Sequence, residues 1–280
     1  MRLWTLCLLA LCGCGPRTPA SVNIDPALAT LVPSDTVLLA GVKLEALRAT
    51  PVYKEFGSPA ALLGDAGVDL DKAWEILAVS NGQRTAVLAR GNFSDQGLEP
   101  RLEIPGATRS TYRGYPLTST DNLAVAFLNP TTAVVGQPAA VRAILDQRGR
   151  SSGPPRELQK QIEMIGPENQ IWAVGAGSAR LAEAAPHNGN LANLATALRL
   201  VDSFRIGATV GAGVRLKATA LCHSGEDASS LAGALRFFTS MAGLKESNGV
   251  HIEWSGTEVR IDASVPPETL DKLAGRASQR

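Results

Sequence analysis

The chain has 280 residues, of which 45% are hydrophobic, and its 27 Lys and Arg residues nearly balance its 26 Asp and Glu residues. This hydrophobic content is enough for a full core, and the formal net charge of +1 gives no electrostatic reason to expect a nucleic-acid partner. After the N-terminal segment no apolar run approaches the length of about 18 residues that a membrane-spanning helix needs, so none is predicted.

The first residues carry a short apolar run behind one positive charge. Arg2 precedes Leu3–Leu11, an apolar run of nine residues. As a helix this run would rise roughly 14 Å, against about 30 Å of hydrocarbon in a bilayer. It is therefore too short to span a membrane as a mature helix, and it is typical of the apolar region of a signal peptide.

The sequence Leu11-Cys12-Gly13-Cys14 ends this segment. It resembles the lipobox of bacterial lipoproteins, in which Leu lies three positions before the modified Cys and a small residue lies just before it. The resemblance covers the first 14 residues. It implies that cleavage removes residues 1–13, that the thiol of Cys14 takes a diacylglycerol, and that the new amine is acylated. Cys12 departs from the pattern, because Ala, Ser or Thr is commoner there, and an ordinary signal peptide stays open as the alternative.

Cys14 is accordingly the one functional residue that we predict, as a lipidation site; the sequence predicts no catalytic, cofactor-binding or metal-binding residue. The lipid would make the membrane a partner and place the protein in the bacterial cell envelope. Gly15, rather than Asp, follows Cys14, which resembles Gram-negative lipoproteins sorted to the outer membrane and facing the periplasm. Cys222 would be the unmodified Cys left in the mature chain, so we expect no intrachain disulfide.

Composition divides the mature chain into a tether and two halves. Residues 14–25 are rich in Pro, Ser and Thr and are predicted to be a tether. The stretch Ser151-Ser152-Gly153-Pro154-Pro155 marks a boundary between a first half, 26–150, and a second half, 151–280. We expect each half to be an antiparallel sheet with helices on one face, which makes the fold class α+β.

The first half is predicted to open with a helix and a buried strand and to continue in hairpins. Its predicted elements are a helix at 26–31, a strand at 37–42, helical turns at 44–47, 52–56 and 60–63, strands at 74–79, 85–89, 123–128 and 132–135, and a hairpin within 111–118. Asn81-Gly82 supplies the positive φ of a tight hairpin turn. Pro138 opens the last helix, at a position where its missing N–H costs nothing.

The second half is predicted to follow a similar plan. A helix carries Leu158, Ile162 and Ile165 on one face. The remaining predicted elements are a strand after Pro167, a helix at 191–201, a hairpin that turns at 211–213, a helix at 226–244, and a last hairpin that pairs 250–254 with 258–263.

Matches between the halves indicate an internal duplication. The stretch Pro33–Gly41 parallels Pro167–Gly175 at an offset of 134 residues. Trp74 parallels Phe204 at an offset of 130, and Pro138 parallels Pro267 at an offset of 129. Because the separation is far longer than the 20–50 residues of a solenoid repeat, the pattern predicts two similar domains.

Two stretches are weighed as sites of chemistry and given structural interpretations. Gly175–Arg180 follows a strand and opens a predicted helix, as a dinucleotide loop would, but it has Arg180 where the third glycine belongs. We favour the interpretation that these glycines allow a strand and a helix to pack closely. Cys222 and His223 end a strand and are expected to point to opposite faces, so a buried structural thiol is favoured over a Cys–His nucleophile.

The acidic and aromatic residues are also given structural interpretations. Asp65, Asp69 and Asp71 lack the spacing of a calcium loop, so we assign them to turns and caps. The tryptophans of the predicted strands are expected to anchor the core rather than to form a stacking platform; they are Trp74, Trp172 and Trp254.

Three functional hypotheses stay open at this point. The opening strand after Pro33 and the Tyr112-Arg113-Gly114-Tyr115 hairpin resemble pieces of uncharacterised envelope proteins of unknown function. The leading hypothesis is a lipid-anchored envelope protein that acts by binding or scaffolding, without a cofactor. The second is a protein that binds a small ligand or a lipid in a cleft between the halves. The third is an enzyme whose site the sequence does not reveal.

Overall fold

The computed structural model describes residues 21–56, 68–94, 106–150, 153–177, 196–241 and 249–270. Its strands all belong to one antiparallel sheet. They are β1 (Leu38–Val42), β2 (Ala73–Ser80), β3 (Thr85–Gly91), β4 (Thr108–Tyr112), β5 (Tyr115–Ser119), β6 (Ala124–Asn129), β7 (Thr132–Gly136), β8 (Ile171–Ala176), β9 (Val201–Val210), β10 (Val214–Cys222), β11 (Val250–Ser255) and β12 (Glu258–Val265).

The helices are short apart from the last. They are α1 (Pro26–Ala29), α2 (Leu44–Arg48), α3 (Pro51–Phe56), α4 (Pro138–Gln147), α5 (Arg156–Ile162) and α6 (Gly225–Met241). A 3-10 turn, Leu70–Lys72, precedes β2, and residues 196–199 and 267–270 are also helical. None of the helices in the described residues is long and apolar enough to cross a membrane.

In the described part of the chain, the two halves are joined in one sheet of twelve strands, whose order is β11-β12-β10-β9-β8-β1-β2-β3-β7-β6-β5-β4. The first strand of each half lies at the centre, where β1 pairs with β8 from Leu38 opposite Gly175 to Val42 opposite Ile171. The predicted halves therefore share one sheet. A continuous hydrogen-bonded ladder occupies the place where the second hypothesis put a cleft.

Strand order repeats outward from this central pair. On one side it runs β1, β2, β3, β7, β6, and on the other β8, β9, β10, β12, β11. The sequence match, however, pairs Gly41 with Gly175, and these two residues lie on opposite faces of the sheet. Gly41 lies on the face that Trp172 covers, and Gly175 lies on the other face, under Phe204. The repeated order is a feature of the topology, and a duplicated origin stays a prediction.

Helices cover both faces of the sheet, so the prediction of helices on one face is wrong. We call the face that carries Leu39 and Trp172 the front, and the face that carries Val42 and Phe204 the back. Helices α1, α4 and α5 pack on the front in one core cluster with Leu39 and Trp172. Helix α2 packs on the back of the first half with Phe127, and α6 packs on the back of the second half with Phe204. Strands β6 and β7 are thereby buried on both faces.

The folded body begins within the stretch predicted as tether. Val22 and Ile24 are buried in the front core, and the backbone N–H of Val22 donates to the carbonyl of Ile165 at 2.8 Å. Asp25 caps α1 by accepting a hydrogen bond from the N–H of Ala27 at 2.7 Å, and it pairs with Nε of Arg90 at 3.2 Å. Residues 22–25 are therefore fixed to the folded body.

The local signals in the sequence correspond to turns and helix ends in the structure. Asn81-Gly82 lies between β2 and β3, with Gly82 at φ +90°. Pro138 is the first residue of α4. The backbone N–H of Gly211 donates to the carbonyl of Gly213 in the turn between β9 and β10. These features need only neighbouring residues, which is why the sequence could predict them.

Candidate functional site

The site predicted from the sequence, Cys14, lies outside the described residues. Within them, polar side chains gather on the front of the second half, where β9, β10, β12 and β11 lie side by side. The register forms two cross-strand rows: Gly207, Lys217, Asp262 and His251 in one, and Arg205, Thr219, Arg260 and Glu253 in the other. We call the surface formed by these eight residues the open face.

Charges of opposite sign stand next to each other along this surface. Lys217 is paired in register with Asp262, and Arg260 with Glu253. Such cross-strand pairs contribute roughly 0.2–1 kcal/mol each. Arg260 also donates two hydrogen bonds to Glu258, at 2.9 and 3.3 Å, and these hold the pKa of the Glu258 carboxyl below its usual value. The open face is thus strongly polar, with three positive side chains (Arg205, Lys217 and Arg260) and two negative ones (Glu253 and Asp262).

A groove runs between the open face and the loop that connects α5 to β8. Its volume is about 300 Å³, and Met164, Glu168, Asn169, Arg205 and Lys217 are among the residues that line it. Arg205 is held from the helix side, because its Nη1 donates to Oε1 of Gln161 at 3.3 Å. The groove therefore presents two positive charges, the carboxylate of Glu168 and hydrogen-bonding groups, which suit a polar ligand.

Asn169 forms the buried part of this groove. Its side chain is only 8% exposed, and its Nδ2 donates to the carbonyl of Gly166 at 2.9 Å. The side chain can lie on the sheet because residue 207 is Gly: a β-carbon there would come within 2.7 Å of Oδ1 of Asn169. Gly207 and Asn169 together shape the floor of the groove.

The open face was not predicted as a site from the sequence. One signal was present: Arg215, Lys217 and Thr219 alternate with apolar residues in β10, which is the pattern of a strand with one solvated face. The alternation could not show which strands lie beside β10. Nor could it place Asn169 against Gly207, because the two are far apart in the chain.

The structure separates Cys222 from His223. Cys222 is buried beneath α6, and burial together with the negative charge of Asp227 raises the pKa of its thiol. His223 is exposed. Because a raised pKa suppresses the reactive thiolate, Cys222 has the character of a structural thiol. The two residues do not form a nucleophile and base.

The glycines of the suspected dinucleotide loop have packing and turn roles. A β-carbon on Gly175 would come within 2.3 Å of the ring of Phe204, so that ring occupies the space above the glycine. Gly177 follows β8 with φ +66°. Residues 178–180, which complete the stretch, lie outside the described residues.

The turn role predicted for Asp69 is confirmed, whereas burial was predicted for three tryptophans and is found for one. Asp69 accepts a hydrogen bond from the N–H of Asp71 at 3.0 Å at the start of the 3-10 turn, as a turn residue does; Asp65 lies outside the described residues. Trp172 is 2% exposed and anchors the core. Trp74 and Trp254 are 36% and 45% exposed, so their predicted burial is wrong.

In the described part of the chain, no three His, Cys, Asp or Glu side chains are grouped to hold a metal ion.

No family model matches the chain, and no curated protein matches it. Solved structures of a protein named TP0453 are similar in fold: its crystal forms I, III and IV align with TM-scores of 0.52, 0.57 and 0.53. The alignments cover 90% of this chain and 97%, 98% and 97% of the TP0453 chains. Sequence identity is 11%, 12% and 12%, so the similarity shows the fold alone.

Proposed function

We propose that the protein is a lipid-anchored protein of the bacterial cell envelope that acts by binding, with its folded body held at the membrane through Cys14. The observation that carries this proposal is the lipobox-like sequence Leu11-Cys12-Gly13-Cys14 behind an apolar run. Several acyl chains would hold firmly, since each buried methylene contributes about 0.8 kcal/mol.

The length of the link between lipid and body supports a position close to the bilayer. Only residues 15–21 separate Cys14 from Val22, where the hydrogen bond to Ile165 fixes the chain. Seven residues reach at most about 25 Å when fully extended. The body would therefore stay near the membrane surface rather than extend far into the compartment.

Membrane fractionation of two matched variants tests the anchor. Cys14→Ser removes the proposed acceptor of the lipid, and we expect the protein to leave the membrane fraction. Cys12→Ser changes the neighbouring thiol and brings a residue that is commoner in the lipobox, so it should stay in the membrane fraction. Retention of the Cys14→Ser protein in membranes, or loss of the Cys12→Ser protein, would contradict the proposed site.

The binding role is assigned to the open face and its groove, because charged and hydrogen-bonding groups converge there from separate strands and one loop. A photo-crosslinking amino acid at Lys217 places a probe on this face, and one at Ser230, an exposed residue of α6, serves as the control. In intact envelopes we expect a discrete crosslinked product from position 217 only. Equal products from both positions would count against the open face.

A small polar ligand is the second candidate occupant, favoured by the groove around buried Asn169. Native mass spectrometry of the protein extracted from its own envelope tests it. We expect an added mass that Arg205→Gln or Lys217→Gln removes. An added mass that both variants retain would place the ligand elsewhere, and no added mass would leave macromolecular binding as the proposed function.

A further inference from the structure

Helix α4 and the β4–β5 hairpin are joined at the surface by a shared carboxylate. The hydroxyl of Tyr112 donates to one oxygen of Asp146 at 2.9 Å, and Nε of Arg113 donates to the other at 2.7 Å. Both contacts lower the pKa of Asp146. Since both oxygens of Asp146 are engaged, this carboxylate is occupied within the fold.

Two further arginines lie over the tyrosine rings of the hairpin. The guanidinium carbon of Arg142 is 5.7 Å from the ring centre of Tyr112, and that of Arg148 is 4.9 Å from the ring centre of Tyr115. Both arginines are exposed. A guanidinium stacked on a ring keeps the N–H groups of its edge available for hydrogen bonding, and its stem is held in one place.

These arginines lack acidic partners. Arg150 adds a further exposed cation near Asp146. Among the described residues, no carboxylate lies within 4.0 Å of the guanidinium groups of Arg142, Arg148 or Arg150. Each of these side chains therefore has hydrogen-bond donors that the fold does not use.

The result is a local excess of positive charge in a nearly neutral chain. We define the arginine cluster as Arg113, Arg142, Arg148 and Arg150; with Asp146 it carries a local charge of +3, whereas the whole chain carries +1. Such a surface attracts multivalent anions and raises their local concentration. Partial burial of the two tyrosine rings explains why the side chains of Arg142 and Arg148 lie over them. It does not explain why arginines without acidic partners gather at this place.

We propose that the arginine cluster is a binding site for a ligand that carries several phosphate groups. The planar fork of arginine matches a phosphate with two parallel hydrogen bonds, and a phosphate monoester carries about −1.5 to −2 charges near neutral pH. Two such groups would offset the local charge of the cluster. The ligand is a soluble molecule with several phosphate groups, or several headgroups of an anionic phospholipid. The phosphodiester of such a headgroup carries one negative charge and offers the same pair of acceptor oxygens to the arginine fork.

Titration calorimetry with inositol hexakisphosphate, a soluble probe, tests the cluster in the full-length protein in detergent. The double variant Arg142→Gln and Arg148→Gln should bind about tenfold more weakly or worse, since charge-assisted hydrogen bonds are lost. The control removes two exposed arginines of the second half, Arg199→Gln and Arg215→Gln, with the same change in net charge. It should bind within about twofold of the unmodified protein, because distant exposed charges are screened by salt.

Failure of the unmodified protein to bind the probe would overturn the proposal, as would equal weakening in the cluster and control variants. The Arg142→Lys and Arg148→Lys variant keeps the charge but loses the fork, and we expect intermediate affinity. It also provides the comparison if the glutamine variant does not fold, which circular dichroism would reveal. Lysine variants that bind as tightly as the unmodified protein would contradict recognition by paired hydrogen bonds.

A vesicle assay distinguishes the two sources of phosphate. The Cys14→Ser protein, which lacks the proposed lipid, is mixed with vesicles of phosphatidylglycerol or of phosphatidylcholine. Binding to phosphatidylglycerol vesicles but not to phosphatidylcholine vesicles, weakened by Arg142→Gln and Arg148→Gln, identifies lipid headgroups as the source of phosphate. Cluster-dependent binding of the soluble probe without vesicle binding identifies a soluble phosphorylated ligand. Both results support the site, and neither depends on whether Cys14 is acylated in the cell.

Discussion

The indole ring of Trp172 lies directly on Gly41, its partner across the central β1–β8 pair. A β-carbon on residue 41 would come within 2.3 Å of that ring, which is far inside contact distance. Trp172 is 2% exposed and belongs to the front core together with residues of both halves. The two halves therefore share one packed interior at their junction.

Replacement of Gly41 should destabilise this junction. Gly41→Ala forces the indole or the strand to shift, and overpacking of this kind costs roughly 1–3 kcal/mol. Urea unfolding measures the free energy of unfolding. Gly211→Ala is the control, since nothing lies within 4 Å of a β-carbon built at that turn residue. A Gly41→Ala protein as stable as the control would show that the indole does not occupy this space.

Asp25 should stabilise the N-terminal end of the body mainly as a helix cap. Asp25→Ala loses both the cap on Ala27 and the ion pair with Arg90, and we expect the free energy of unfolding to fall by about 1–2 kcal/mol. Asp25→Asn keeps a capping oxygen and loses only the charge, so its loss should stay below about 1 kcal/mol. Equal losses in the two variants, measured by urea unfolding, would assign the effect to the ion pair.

Glu75 should make stability depend on pH. Burial, followed by the nearby charge of Asp25, raises the pKa of the Glu75 carboxyl. The hydrogen bond that the N–H of Asp25 donates to it and the charge of Lys43 lower this pKa, but they do not offset the rise. Because the pKa of Glu75 is higher in the folded protein than in the unfolded chain, Glu75 adds stability at pH values below its unfolded pKa, which is near 4.5. This contribution is lost as the pH rises through its folded pKa.

The Glu75→Gln variant removes this titration and keeps a side-chain oxygen that can accept from Asp25. Relative to the unmodified protein, its free energy of unfolding should increase between pH 4 and pH 7, a range that begins near the unfolded pKa. Urea unfolding at several pH values in this range gives the comparison. Parallel pH profiles of the two proteins would contradict the assigned pKa direction.

Two glycines should respond to alanine in opposite directions. Gly233 lies in the interior of α6 with open space around it, so Gly233→Ala should stabilise the protein by about 0.5–1 kcal/mol. Gly256 has φ +56° in the turn between β11 and β12, so Gly256→Ala should destabilise it by about 1 kcal/mol. Thermal unfolding measures both. Changes of the same sign would contradict one of the two backbone assignments.

Most strands and turns could be predicted because their signals are local. The Asn81-Gly82 turn and the last hairpin, predicted at 250–254 and 258–263, lie within short stretches, and each corresponds to an element close to its predicted place. The pairing of β1 with β8 could not be predicted, because it joins residues more than 100 positions apart. Both strands are short and apolar, and such strands carry no signal of their neighbour.

The candidate site was less predictable than the fold. Trp254 lies on the edge strand β11 and Trp74 lies beside an irregularity in β2, so both stay partly exposed although their strands are well formed. Alternation shows which residues share a face of a strand, and it does not show what covers that face. The open face and the arginine cluster both arise from long-range placement of polar residues, which no single stretch encodes.

Attachment through Cys14 is the central claim, and intact-mass and peptide mass spectrometry of the protein extracted from its native envelope tests it most directly. We predict a chain that begins at Cys14, lacks residues 1–13 and carries the mass of a diacylglyceryl group with a further acyl chain on the new amine. An N-terminal peptide with an unmodified Cys14, or a chain that retains residues 1–13, would contradict the account.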